Sequence, residues 1–313
     1  MRPLERPDRT LGGLYGLLVG DALGVPYEFK AASALPDFDE IEMQPPPGFA
    51  RSHPRVPPGS WSDDGAQALC LLASLLYQGR LDLDDLGRRF LNWRNVGYLA
   101  AGGLVFDIGI QTSRALDALE RGVPAAEAGP SGERDNGNGS LMRVLPLALW
   151  HRGTDAELFR DAARQSLVTH GHPRARLCCA LYSLWARRTL EGQADAWSAA
   201  VRTVREIVAP DPVLRTELEE HIRPDSEPGG KGSGYVVDCL HSARSALQEK
   251  TFEAVVKRAV RFGNDTDTTA AVAGGIAGAR HGLSAIPARW LDSLMDREIV
   301  DSFAKQLAPG GDC

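Results

Sequence analysis

Several features that would assign this chain to a particular class of protein are missing from its sequence. No run of about 18 consecutive apolar residues, the length that a membrane-spanning helix needs, occurs among the 313 residues. An excess of positive charge is also missing, because 41 Asp and Glu outnumber 35 Lys and Arg and give a net charge of −6. Membrane insertion and bulk binding to nucleic acid are therefore not expected.

Cysteine is scarce and is not arranged for cross-linking or zinc binding. The five residues are Cys70, Cys178, Cys179, Cys239 and Cys313, and no two of them form a Cys-x-x-Cys pair. Neither a disulfide framework nor a thiolate zinc site is indicated. The first ten residues carry charges of both signs, and we interpret the apolar run that follows them as a core helix rather than a signal peptide. A reducing cytoplasm is the expected compartment.

Convincing alternating patterns of β-strands are absent, whereas helical periodicity is frequent. Helical patterns cover Asp8–Leu23, Asp64–Gly79, Leu83–Trp93, Gln111–Glu120, Leu141–Trp150, Ala156–Thr169, Ala175–Glu191, Asp195–Val208, Val213–His221, Val236–Gln248, Phe252–Arg261 and Asp267–Gly282. The stretches Pro36–Ser60, Pro124–Ser140 and Arg223–Gly234 are irregular, and long irregular segments of a compact domain are more often functional than idle. No linker divides the chain, so we expect a single all-α domain over residues 1–313.

Two acidic clusters, two hundred residues apart, stand at predicted helix starts. Asp63 and Asp64 lie in "GSWSDDGAQAL", and Asp265 and Asp267 lie in "FGNDTDTTAAVAGG". Each pair has a hydroxyl neighbour, Ser62 in the first cluster and Thr268 in the second. Oxygen ligands of this kind suit a hard cation such as Mg²⁺, Mn²⁺ or Ca²⁺. The alternative is an ordinary helix cap, because an Asp at a helix start is more often a cap than a metal ligand.

One face of the helix after Asp267 consists of very small residues. Ala270, Ala273, Gly274, Ala277 and Gly278 follow the spacing i, i+3, i+4, i+7, i+8. Glycine inside a helix costs about 1 kcal/mol relative to alanine, and the close approach of a second helix would offset that cost. We expect the Asp64–Gly79 helix to be this neighbour, which would unite the two clusters. The alternative is that the face serves packing alone.

Five segments in order resemble the ADP-ribosylglycohydrolase family, which includes dinitrogenase reductase–activating glycohydrolase, ADP-ribosylarginine hydrolases and the J1 crystallins. They are "GDALGVPYE" (Gly20–Glu28), "WSDDGAQAL" (Trp61–Leu69), "FDIGIQT" (Phe106–Thr112), "GNGSLMRVLPLAL" (Gly137–Leu149) with "THGHP" (Thr169–Pro173), and "FGNDTDTTAAVAGGIAG" (Phe262–Gly278). The resemblance implies a compact orthogonal helical bundle that binds two Mg²⁺ ions, with Mn²⁺ as an alternative. It implies as metal ligands Ser62, Asp63, Asp64, Asp265, Asp267 and Thr268. Gly65 departs from the family, which more often has threonine there.

The reaction that this resemblance implies is hydrolysis of the C1″ glycosidic bond of an ADP-ribosyl group. The candidate catalytic residues are Glu28, Asp63 and Asp107. Glu28 would move a proton or gate the cleft, although a solvated surface Glu after Pro26 is an equal alternative. Asp107 resembles a position near the scissile bond, and the alternative is a buried, hydrogen-bonded Asp. We interpret Asp21 as structural, with its carboxyl group either capping or forming a hydrogen bond inside the first helix.

The expected contacts to the ADP-ribose part come from the glycine-rich loop and from two aromatic side chains. Gly137, Asn138, Gly139 and Ser140 precede a predicted helix and would offer backbone N–H groups to the pyrophosphate. His170 resembles a histidine beside the adenosine, and we expect Tyr235 to stack on the adenine. The segment Gly229–Val236 is not a phosphate-binding P-loop, because Lys231 is followed by glycine.

The expected partners are ADP-ribose and an ADP-ribosylated protein. Arginine-linked ADP-ribose is the preferred substrate, and serine-linked ADP-ribose, O-acetyl-ADP-ribose or another ribosyl metabolite is an alternative. A non-catalytic protein like the J1 crystallins is a further alternative. All six candidate ligand positions here keep an oxygen-bearing side chain, which favours the enzyme.

Overall fold

The computed structural model describes residues 4–308, and within them the chain forms helices and no β-strand. The helices are α1 (Arg6–Gly24), α2 (Asp63–Gln78), α3 (Leu83–Val96), α4 (Ile110–Glu120), α5 (Leu145–Trp150), α6 (Asp155–Ser166), α7 (Pro173–Leu190), α8 (Ala196–Val208), α9 (Pro212–Thr216), α10 (Val236–Ala246), α11 (Phe252–Val260), α12 (Thr266–His281), α13 (Ala288–Leu291) and α14 (Arg297–Leu307). The prediction of an all-α fold is confirmed.

Most predicted helices agree with the structure to within a few residues, and three regions differ. Helix α5 begins at Leu145 instead of Leu141, because Pro146 fits only the first turn of a helix and residues 139–143 form turns instead. The chain after α9 continues as a π-helical turn, Glu217–Ile222. Sequence analysis assigned no helix after Gly282, whereas the structure has α13 and α14 there.

Helix α12 packs backbone against backbone on α1, and not on α2 as the sequence analysis predicted. A Cβ atom placed on Gly274 would lie 2.3 Å from the carbonyl oxygen of Gly16, and one on Gly278 would lie 1.9 Å from that of Gly12. A Cβ on Gly20 would similarly meet the carbonyl oxygen of Ala270 at 2.1 Å. Only glycine permits this approach, so glycines four residues apart on α1 receive the small face of α12.

One hydrophobic core continues through the described part of the chain, from Leu11 in α1 to Ala308 after α14. Cys70, Cys178, Cys179 and Cys239 are buried in it as free thiols, and Cys313 lies outside the described residues. Within residues 4–308, no helix combines the length and the apolar character that crossing a membrane requires.

Candidate active site

A cavity of about 580 Å³ opens where seven chain segments that adjoin helix ends meet. Its walls include both acidic clusters, the "FDIG" segment and the glycine-rich loop. The lining residues are Glu28, Phe29, Asp63, Asp107, Gly109, Ile110, Gln111, Thr112, Gly137, Asn138, Gly139, Met142, His170, Ser233, Gly234, Asn264, Asp265 and Thr268. This cavity therefore gathers residues from most of the length of the chain.

The structure brings the two acidic clusters together at the starts of α2 and α12. Asp63 and Asp64 occupy the first turn of α2, and Asp265 is the N-cap of α12, which has Asp267 in its first turn. The hydroxyl of Thr268 donates a hydrogen bond to Asp64 Oδ1 at 3.2 Å, across 204 residues of sequence. Ser62 caps α2, since its hydroxyl accepts the N–H of Asp64 at 3.2 Å. The first cluster is thus capped through Ser62, whereas the side chain of Asp265 makes no capping hydrogen bond, and both clusters belong to one acidic centre.

Three oxygens of this centre have no hydrogen-bond partner among the described residues. They are Asp64 Oδ2 and both carboxylate oxygens of Asp267, and both side chains are fully buried. A buried carboxylate without a partner is costly. One oxygen each of Glu28, Asp265 and Asp267 lie within 4.8 Å of one another. Oxygen donors at this spacing, partly unpaired and buried, fit a divalent cation.

The raised pKa values of the acids in this centre also favour a bound divalent cation. Burial, reinforced by neighbouring carboxylates, raises the pKa values of Asp63, Asp64 and Asp267 well above the usual range for Asp. Asp63 receives some compensation, because Gln67 Nε2 donates to its Oδ2 at 3.1 Å and buried Arg143 in turn donates to Gln67 Oε1 at 2.8 Å. Several acids repel one another here, and a bound cation would relieve that repulsion.

Asp21 holds the first acidic cluster in place from the end of α1. Its carboxylate accepts the backbone N–H of Ser62 at 2.9 and 3.0 Å, and the N–H of Gly65 at 2.8 Å. The expected structural role is correct, but the bonds cap α2 and do not lie inside α1. Burial raises the pKa of Asp21 to about 7, although these N–H donors act in the opposite direction.

The substitution Asp21→Asn should therefore loosen the start of α2. Hydrogen bonds to a charged acceptor contribute about 1.5–3 kcal/mol each, so we expect a loss of about 2 kcal/mol in the free energy of unfolding together with weaker metal binding. Urea unfolding in EDTA measures the first effect. Asp8→Asn is the control, because Asp8 also accepts a backbone N–H, from Leu283, away from the cavity. Wild-type stability and activity in Asp21→Asn would contradict this role.

Glu28 is buried at the cavity wall and is only 3% exposed. The alternative of a solvated surface residue is therefore wrong. His53 Nε2 lies 2.7 Å from Glu28 Oε2, and the His53 ring packs between Phe29 and Phe106 at centroid distances of 5.6 and 5.1 Å. Burial and nearby carboxylates, Asp107 first among them, raise the pKa of Glu28 to about 11. Sequence analysis missed His53, because it lies in an irregular stretch without a recognisable motif.

Backbone strain is concentrated around this cavity. Phe29, His53, Asp107 and Asn264 all have positive φ angles, between 48° and 60°, which side-chain-bearing residues rarely adopt. Asp107 is half-buried and lines the cavity, and burial followed by the charge of Asp265 raises its pKa to about 7. Strained residues persist where the surrounding structure holds them for function. Their positions support a functional interpretation of the "FDIG" segment.

The glycine-rich loop lines the cavity, and two of its four N–H groups are already bonded. The N–H of Gly137 donates to Gln111 Oε1 at 2.6 Å, and the N–H of Asn138 donates to the carbonyl of Gly234 at 3.0 Å. Cβ atoms on Gly137 and Gly139 would meet Gln111 and His170 at 2.5 and 2.9 Å. The glycines thus make room for these side chains, and the expectation that they also admit phosphates stays a prediction.

The other predicted substrate contacts are divided between the cavity and its surroundings. His170 lines the cavity, and burial lowers its pKa to about 3, which keeps the ring neutral. Asn138 donates to Asp265 Oδ2 at 2.8 Å. Ser140 is not on the cavity wall, since its hydroxyl accepts from Ser166 Oγ at 2.7 Å in the interior. Tyr235 is 39% exposed and lies outside the lining, near Arg174.

An all-α fold with paired oxygen-rich helix starts beside a deep cavity is the arrangement expected of a glycosidic-bond hydrolase of the type that the motifs resemble. The comparisons agree, because the chain belongs to the ADP-ribosylglycohydrolase family, which it matches over residues 2–312. It is 32% identical over 310 residues to the ADP-ribosylarginine hydrolase Tri1 of Serratia proteamaculans (strain 568), covering 97% of this chain and 80% of that protein.

Two further relatives match over almost their whole length. The ADP-ribosyl-[dinitrogen reductase] glycohydrolase of Rhodospirillum rubrum is 30% identical over 309 residues, covering 97% of each chain. A solved structure, described as an ADP-ribosylglycohydrolase-related protein complex, superposes with a TM-score of 0.76 at 35% identity and covers 97% of this chain and 98% of that one. Family and relatives together indicate an ADP-ribosyl glycohydrolase enzyme.

Proposed function

We propose that this protein is a divalent-metal-dependent hydrolase that cleaves the C1″ glycosidic bond of ADP-ribosylated arginine on proteins and releases ADP-ribose. The observation that carries this proposal is the buried acidic centre, in which both oxygens of Asp267 and one of Asp64 lack a hydrogen-bond partner within residues 4–308. The name of the Serratia relative supports arginine as the linkage.

The proposed metal ligands come from both helix starts: Ser62, Asp63, Asp64, Asp265, Asp267 and Thr268. Bound Mg²⁺ or Mn²⁺, in one or two ions, would supply Lewis-acid stabilisation and a water of lowered pKa. Asp21, Gln67 and Arg143 orient the first group of ligands through the hydrogen bonds described above. Asn138 orients Asp265 in the second group.

The proposed proton-transfer residues are Glu28 and Asp107, which line the cavity beside the ligands. His53 fixes the carboxyl group of Glu28, so that its other oxygen can meet a substrate atom. Asp63 completes the set of catalytic carboxylates. We propose that neutral His170 and the loop at Gly139 contact the ADP-ribose. We propose further that the exposed side chains of Phe29 and Ile110, at the rim of the cavity, contact the substrate from outside. Ser140 and Tyr235 are left out of this set.

We also propose that residues 1–313 act as one domain in the cytoplasm. The continuous core and the free thiols of the four described cysteines support this proposal. A reducing compartment would preserve those thiols.

The proposed function predicts release of ADP-ribose from ADP-ribosyl-arginine with Mg²⁺ or Mn²⁺ and its loss in EDTA. Parallel assays with serine-linked ADP-ribose and O-acetyl-ADP-ribose test the linkage. Faster cleavage of either of these would replace arginine in the proposal. Tight binding of ADP-ribose without turnover of any conjugate would favour the crystallin-like alternative.

A further inference from the structure

A second cavity, of about 490 Å³, shares no lining residue with the first. Its walls come from the ends of α7, α10 and α12 and from the start of α8. The lining residues are Arg9, Trp185, Thr189, Gly192, Gln193, Ala194, Asp195, Ala196, Trp197, Arg244, Leu247 and Arg280. Three of these side chains are guanidinium groups, and only one is a carboxylate.

The three guanidinium groups make no ion pair with a described carboxylate, and each uses only one nitrogen on the protein. Arg9 Nη1 donates to the carbonyls of Ala279 and Arg280 at 3.1 and 3.0 Å. Arg280 Nη1 donates to the carbonyl of Leu247 at 2.8 Å, and Arg244 Nη1 to that of Ser226. These bonds fix the side chains, while the remaining N–H groups make no hydrogen bond to the described residues.

Two other adjacent arginines in this protein are neutralised by carboxylates. Arg187 and Arg188 also lie close together, but both pair with Asp155, and Arg188 pairs with Glu191 at 3.2 Å as well. In the second cavity, by contrast, Asp195 is occupied as the N-cap of α8, where it accepts the N–H of Ser198 at 3.2 Å. Three guanidinium groups against the one carboxylate of Asp195 leave the lining with a net positive charge in a protein whose net charge is −6.

We propose that this second cavity binds a small anion that carries a diphosphate group. Arginine is the side chain best suited to phosphate oxygens, because its planar fork offers two parallel donors. Trp185 and Trp197 form an apolar wall that keeps Arg244 in place, with the guanidinium 4.6 Å from the Trp197 ring.

Room and charge both favour a diphosphate over a single phosphate. A volume of about 490 Å³ falls within the common range for small-molecule sites, roughly 300–1,000 Å³. Three cationic groups from separate helices can surround two linked phosphates. This site is independent of the proposed hydrolysis, because none of its residues reaches the acidic centre.

The test is a calorimetric titration of the full-length protein with inorganic pyrophosphate in EDTA. EDTA removes divalent cations that could link pyrophosphate to the acids of the first cavity, and the two cavity variants show whether binding occurs in the second cavity. We expect saturable binding by wild type and at least tenfold weaker binding by both Arg244→Gln and Arg280→Gln. Arg261→Gln is the matched control, because Arg261 is half-buried, donates only to the carbonyls of Leu35 and Pro36, and lies elsewhere.

The two cavity variants and the control together show whether pyrophosphate binds in the second cavity. Thermal melting confirms that the variants are folded, and Arg244→Lys provides a conservative second variant that should retain part of the affinity. A wild-type protein that does not bind pyrophosphate would overturn the proposal. Wild-type affinity in both cavity variants would overturn it as well. So would a loss of affinity in Arg261→Gln as large as that in the cavity variants, since binding would then not depend on this cavity.

Discussion

Asp267→Asn is expected to remove hydrolysis almost completely and to abolish the stabilisation of the protein by divalent cations. Both carboxylate oxygens of Asp267 are buried without a partner, so a cation is the group that they best accommodate. Replacing a residue that only hydrogen-bonds to a metal ligand already lowers metal affinity or activity by about 10- to 100-fold. A direct ligand should cost more than about 100-fold in kcat/KM.

The same variant should respond differently to metal in a melting experiment. Wild type should gain stability with Mg²⁺, by about 2.7 kcal/mol when the ion is at 100 times its Kd. In EDTA, Asp267→Asn should melt at or above the wild-type temperature, because a buried acid that neighbouring carboxylates oppose has been replaced by a neutral amide of similar size. The exposed residue Asp84, in the first turn of α3, provides the control Asp84→Asn. An equal metal-induced shift in Asp267→Asn and wild type would exclude Asp267 as a ligand.

Gly274→Ala is expected to destabilise the fold by at least about 3 kcal/mol, the upper part of the range for overpacked cores. The new Cβ would lie 2.3 Å from the carbonyl oxygen of Gly16, and backbone atoms cannot rotate away as a side chain can. This cost exceeds the gain of about 1 kcal/mol from better helix propensity. Urea unfolding measures the difference in free energy.

The control for this variant is Gly109→Ala. Gly109 has a φ angle of −60°, and its nearest neighbour to a new Cβ would be Thr112 Oγ1 at 3.9 Å. Its stability should stay close to that of wild type. If Gly274→Ala were as stable as this control, the close contact between α1 and α12 would be refuted.

Periodicity, a local signal, predicted most of the helices, and the oxygen-rich motifs at two helix starts indicated that the acidic clusters meet. Sequence analysis placed the small face of α12 on the wrong helix. The spacing of Gly12, Gly16 and Gly20 on α1 was the informative signal, since it matches the spacing on α12. The pattern at Ile299, Val300 and Phe303 could similarly have revealed α14.

Other features of the site could not be read from local sequence. The direction of a loop side chain depends on the turn that carries it, so Ser140 faces the interior although its neighbours line the cavity. His53 reaches Glu28 only because the irregular segment folds back over the cavity. Contacts of this kind arise from tertiary structure and have no periodic signature.

The row of glycines on α1 ends at Gly24, where an added Cβ would lie 2.3 Å from the Cα atom of Asp267. Main-chain atoms therefore set the position of this acid, and no side chain is available to adjust it. Substitutions among relatives should consequently be rare at this contact between α1 and α12. They should be more frequent at the exposed opening of the first cavity, around Phe29 and Ile110. New leaving groups can then be accommodated there while the hydrolytic centre stays unaltered.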